Sequence, residues 1–300
     1  MTGYLFSANG FGAGVSIKRE VLLFLSLTLG FSGAFYVYLF ASQQPRWGEA
    51  HSAAFMWCPG LAAIATKLIL RRPLADLGLR WRNTTRYLFG VIFFPYLLAA
   101  AVYLTVWIFG LGAFNSDRLS TFLARVGLGG FNPKVVLPFM LLVIAPLGAV
   151  TSAASALGEE LGWRGLLAPR LSEAISFARA SVVVGLIWSV WHYPLMFVLL
   201  PSMRPKLPLW YATACFTLSV VGVSFFYTWL RHRSGSVWPA VFLHSASNGA
   251  QTTFEILTID TGVTHYLTYE YGIGFVIVIW LAVGIFLLGG RAKRAACAVS

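Results

Sequence analysis

Residues 135–160 read VVLPFMLLVIAPLGAVTSAASALGEE. The run from Val135 to Gly158 carries no charge, and two adjacent carboxylates, Glu159 and Glu160, follow at once. An apolar run of that length, coiled as a helix rising ~1.5 Å per residue, is enough to cross the ~30 Å hydrocarbon core of a bilayer. Seven more apolar stretches lie around it, at roughly 21–40, 52–70, 87–110, 180–200, 208–230, 237–256 and 272–290. The gaps between them leave no room for a soluble domain. In lipid every backbone polar group must find its partner within the protein, which favours helices for these segments. The expected fold is all-α, a polytopic transmembrane helical bundle of about eight spans forming one domain over residues 1–300.

Composition agrees. The chain is 58% hydrophobic and 11% charged, whereas soluble domains carry about 25% charged residues. Too few charges are present to build a water-facing surface, so the bilayer is the expected partner. The formal charge of +12 comes from short basic clusters between apolar runs. That placement fits topology and anionic headgroups, and excludes a nucleic-acid partner. With the N-terminus placed in the cytoplasm, 16 Lys and Arg fall on inside segments and 6 on outside loops (Arg46, Arg118, Arg125, Lys134, Arg204 and Lys206). The bias predicts eight spans with both termini cytoplasmic; in a bacterial source the membrane would be the plasma (inner) membrane. Lys18 and Arg19 immediately precede the first apolar run, which reads as a retained anchor. Cys58, Cys215 and Cys297 are far apart and read as apolar fillers.

Against this background, ionisable groups inside spans are costly and point to function. Three places carry them. In Gly158-Glu159-Glu160-Leu161-Gly162-Trp163-Arg164, Glu160 and Arg164 are four apart and share a helix face, so they can pair. Glu159 points about 100° away. One carboxylate is then structural and the other is free to act as a base near neutral pH. The competing reading is a cytoplasmic helix end with ordinary surface charges. His192 lies about twelve residues into its span, and Pro194 should kink the helix by removing the bond to the Val190 carbonyl; alone, His192 reads as a satisfied core histidine. His244 and Asn248 are four apart and face the same way, with Ser245 and Ser247 between them. Interhelical hydrogen bonding would explain that set as well. Taken together, a carboxylate that activates water, histidines that bind metal or stabilise an oxyanion, and an amide donor make a hydrolytic constellation. The remaining acids Glu255, Asp260 and Glu270 read as outside-loop charges, and His51, His232 and His265 as solvated groups.

Glu159-Glu160-xxx-Arg164, an aromatic-xxx-His at Trp188 to His192, and His244-xxx-Asn248 resemble, in order, the three motifs of the CAAX-protease and bacteriocin-processing family, also called Abi or CPBP. That family includes the Ras-converting prenyl-protein endopeptidases. The resemblance covers residues 150–255, which would form the catalytic core. The second motif more often has Phe where this chain has Trp188. The resemblance implies an intramembrane endopeptidase, CAAX prenyl protease-like, acting on a peptide or membrane-protein substrate, prenylated or not. Glu159 would activate the attacking water, His192 would position it, and His244 and Asn248 would stabilise the oxyanion. Glu160 and Arg164 would shape the site or grip the substrate. The family has been described both as metal-dependent and as a metal-independent glutamate protease. His192 and His244 are the candidate zinc ligands, although no His-Glu-x-x-His is present and the ligand set is incomplete by sequence. A transporter using the same polar cluster, or a non-catalytic scaffold or immunity protein, are the alternative functions.

Overall fold

The computed structural model describes residues 16–42, 47–125 and 127–299. Of the basic residues behind the predicted topology, Arg46 and the side chains of Lys134, Arg291, Lys293 and Arg294 lie outside the described residues, as does the side chain of Cys297. Every apolar stretch has folded as helix. The long elements are α1 (Ile17–Ala41), α2 (Glu49–Ile69), α3 (Leu88–Ile108), α9 (Phe177–Met203), α10 (Leu209–Ser234), α11 (Trp238–Ile256) and α13 (Ile273–Val299). Between α3 and α9 lie short pieces: strand β1 (Gly112–Phe114), the surface helix α4 (Ser116–Arg125), α5 (Pro133–Phe139), α6 (Ala145–Thr151), α7 (Ala153–Glu160) and α8 (Ala168–Ala174). Strand β2 (Thr258–Asp260) pairs antiparallel with β1 and precedes the single turn α12 (Thr264–Leu267).

Five helices are long and apolar enough to cross a bilayer, at Ile17–Ala41, Glu49–Ile69, Thr85–Ile108, Phe177–Met203 and Leu209–Ser234. The segment that decided the fold is a sixth, bent by 54° between Val135–Thr151 and Ala153–Ala174. The expected stretches at 237–256 and 272–290 are α11, which carries the polar motif, and the shorter apolar part Ile273–Gly289 of α13. The polytopic all-α bundle therefore stands, while length and hydropathy identify five or six spans among the described residues.

Two helix contacts place the site. α2 packs on α7 and the segment after it at near-backbone distance. A Cβ on Gly60 would lie 2.5 Å from the Gly158 carbonyl oxygen, and one on Gly162 would lie 2.5 Å from Cβ of Pro59. Small residues let these two backbones meet, as helix pairs in lipid require. α11 packs on α3, α6 and α7. Ser245 Oγ lies 2.5 Å from Ser152 Oγ at the bend and donates to the Ala149 carbonyl at 2.6 Å. The predicted kink at Pro194 does not interrupt α9, which runs helical through both Pro194 and Pro201. The break lies at Ser152 instead, where side chains from α11 supply partners to the interrupted helix.

Candidate active site

The chain from Leu161 to Leu167 winds as a π-helix directly after Glu160. π-turns inside helices cost regular hydrogen bonding and occur frequently at functional sites. Glu159 and Glu160 are both buried here, as is Arg164. The surface-charge alternative for this segment therefore does not hold; the helical path continues to Ala174, past the Pro169 expected as its end.

The two carboxylates have separate partners. Glu160 Oε1 accepts from Arg164 Nη1 at 3.0 Å and lies 2.9 Å from Nδ1 of His244. The Arg164 guanidinium sits 4.3 Å from the ring centroids of both Trp188 and Tyr227, and its Nη2 donates to Ser224 Oγ at 3.0 Å. This charge is fully enclosed by a carboxylate, a hydroxyl and two aromatic faces, which is how a buried guanidinium becomes tolerable. Glu159 binds differently. Its Oε2 accepts from the indole N–H groups of Trp188, at 2.5 Å, and Trp163, at 3.3 Å. Its Oε1 lies 4.0 Å from Nε2 of His192.

His192 and His244 are each held by Nδ1. The His192 ring donates from Nδ1 to the Trp188 carbonyl at 3.0 Å, so in the neutral ring Nε2 is an acceptor. Glu159, His192, His244 and Asn248 all line one cavity of about 320 Å³. Glu160 and Arg164 stand behind that wall rather than in it. Ser52 and Met56 of α2, Gln251 of α11 and Glu270 ahead of α13 extend the cavity toward the end of the bundle where Arg204, Glu255 and His265 meet. Among the described residues no three His, Cys, Asp or Glu side chains gather closely enough to hold one metal ion. With Glu160 committed to Arg164 and His244, the donor set does not fit a zinc site, which needs at least three protein ligands.

Sequence reasoning missed several participants. Trp188 entered the sequence reading as the aromatic of the second motif, yet its indole N–H is a donor to Glu159 that Phe could not supply. Trp163 Nε1, four residues beyond Glu159, was legible as an i, i+4 pair. Glu270 was assigned to an outside loop, but it is half-buried and lines the cavity. Glu255 and Asp260, read as outside-loop charges, are both paired: Glu255 binds Arg204, and Asp260 lies 3.2 Å from Nε2 of His265. His265 is likewise half-buried, accepting from Arg204 Nη1 at 2.6 Å.

Fold and site together define a polytopic membrane protein whose bundle encloses a carboxylate–imidazole cavity. Residues 135–250 match the model of the type II CAAX prenyl endopeptidase Rce1-like family. A curated relative, CAAX prenyl protease 2 of Methanococcus maripaludis, is 35% identical over 114 residues, 35% of this chain. The alignment spans 41% of that relative's length. The matched segment contains Glu159, His192, His244 and Asn248, and ends before Glu270.

Proposed function

We propose that this chain is an intramembrane endopeptidase that hydrolyses a peptide bond with water activated by Glu159. The observation that carries the reading is the position of the Glu159 carboxylate: two indole N–H groups fix one oxygen, and the other faces His192 in a cavity lined by His244 and Asn248. A carboxylate with one oxygen held and one free has a defined direction for accepting a proton.

In this mechanism a water lies between Glu159 Oε1 and His192 Nε2, a gap of 4.0 Å that the water bridges with bent hydrogen bonds. Its oxygen attacks the scissile carbonyl carbon while its proton passes to Glu159. The carbonyl π electrons move to oxygen, and the resulting oxyanion accepts from the Asn248 amide and from an imidazolium at His244. Glu160, bound to Nδ1 of His244, balances that imidazolium charge. The tetrahedral intermediate collapses, the C–N bond breaks, and the leaving amine takes the proton from Glu159. Donors set in advance where the charge develops cost no reorganisation during reaction.

The substrate is a peptide segment able to enter a cavity with aromatic walls. The name of the archaeal relative makes a prenylated CAAX tail the first candidate, with an unprenylated membrane-protein segment as the second. The transporter alternative gains little, because the bent pair at 135–174 has no counterpart in another part of the chain among the described residues. The test is cleavage by purified protein in lipid nanodiscs of a farnesylated CAAX peptide and its unfarnesylated twin, analysed by mass spectrometry. Wild type should release a C-terminal fragment and Glu159→Gln should not. Equal cleavage by a folded Glu159→Gln variant would overturn the mechanism.

A further inference from the structure

The cavity holds a second carboxylate for which the proposed reaction has no use. Glu270 lies in the connection between α12 and α13 and lines the same cavity as Glu159, His192 and His244. The turn that presents it is strained. Tyr269 adopts φ 62°, the left-handed region that a residue bearing a Cβ enters at a cost of ~1–2 kcal/mol. Such strain persists where surrounding structure enforces it, and it clusters at functional sites.

The enforcing contacts are visible. The Arg204 guanidinium sits 5.1 Å from the Tyr269 ring centroid and 5.8 Å from that of Tyr271, and the two rings stack at 5.5 Å. Arg204 is itself fixed by Glu255 and His265, and His265 by Asp260. This cation therefore anchors the turn and has its own acid. Among the described residues no Lys, Arg or His lies within ion-pair distance of Glu270. The cavity lining contains the carboxylates of Glu159 and Glu270, and neither Lys nor Arg is part of it.

We propose that Glu270 forms a cation-binding subsite, which receives a lysine or arginine side chain or a free amino group of the peptide that Glu159 cleaves. This inference rests on the endopeptidase reading and narrows its substrate to a peptide with a positive charge near the scissile bond. A carboxylate lining a cavity that contains neither Lys nor Arg gains a charge-assisted hydrogen bond when such a group arrives. A free C-terminal carboxylate at the same place is repelled.

The test uses full-length protein in nanodiscs, with two amidated apolar hexapeptides that differ at one position, lysine in one and norleucine in the other. Affinity is measured by quenching of tryptophan fluorescence in a Glu159→Gln background, where no cleavage interferes. The lysyl peptide should bind about tenfold tighter, as one charge-assisted hydrogen bond would give. Glu270→Gln should erase the difference while leaving the norleucyl peptide's Kd unchanged, and Glu270→Asp should retain part of it. Equal affinity for the two peptides, binding of neither, or a lysine preference that survives Glu270→Gln would each overturn the proposal. Cleavage is read separately with Glu159 intact. A lysine preference without cleavage of either peptide would reject the endopeptidase reading and leave the subsite standing.

Discussion

Nδ1 of His244 lies 2.9 Å from Oε1 of Glu160, the same oxygen that accepts from Arg164. One carboxylate oxygen thus organises a cation from its own helix and an imidazole from α11, 84 residues later in the chain. The neighbouring Glu159 is left with indole donors and no cation in direct contact. The division of labour between the two adjacent acids makes their substitutions separable.

Arg164→Ala should damage the fold more than the chemistry. It leaves the Glu160 charge buried without its guanidinium, a change that typically costs about 3–5 kcal/mol. The measurement is thermal unfolding in detergent. A melting temperature equal to wild type would show that the buried pair is not structural.

Glu159→Gln should do the reverse. General base catalysis contributes roughly 100- to 10,000-fold, and that is the expected loss in kcat. The amide keeps an oxygen that can accept from the Trp188 and Trp163 indoles, so the unfolding temperature should stay close to wild type.

Trp188→Phe tests the donor to Glu159. Phe keeps an aromatic face beside Arg164 but removes the N–H that holds Oε2. Losing one hydrogen bond to a charged group, worth about 1.5–3 kcal/mol, should lower kcat about tenfold or more with little change in KM. An unchanged kcat would mean that the indole merely fills space.

Binding at Glu270 should depend on pH with a defined sign. Burial pushes its carboxyl up to about 7, against the opposing influence of the Tyr271 hydroxyl, His244 and Arg204, while Glu159 reinforces the shift. Below that pH the group is protonated and neutral, and above it the carboxylate is present. Affinity for the lysyl peptide should therefore rise as pH is raised from 6 to 8 — roughly tenfold per unit at most on the acid side — while the norleucyl peptide's affinity stays flat. The rise must be smaller in Glu270→Gln than in the parent for the assignment to hold.

Chelators should leave activity intact. The described residues lack a three-ligand set, and the proposed chemistry uses protein groups alone. Loss of cleavage on dialysis against a zinc chelator, restored by added zinc, would overturn that expectation.

The sequence by itself determined the membrane class and the candidate acids and bases. The cause is local: an uncharged run such as 135–158 must be buried in lipid, and any ionisable group near it stands out against that background. The spacing of Glu160 and Arg164 was enough to predict their pairing, because four residues bring side chains onto one helix face. The tertiary structure alone decided what met whom. Trp188 and Glu159 are 29 residues apart and His244 and Glu160 are 84 apart, so no local periodicity encodes either contact. It also decided that the chain breaks at Ser152, where Ser245 of a neighbouring helix meets the interruption. Glu270 illustrates the limit most clearly: in sequence it is one acid in a short connection, and in the fold it lines the cavity beside a turn whose Tyr269 and Tyr271 rings pack against Arg204.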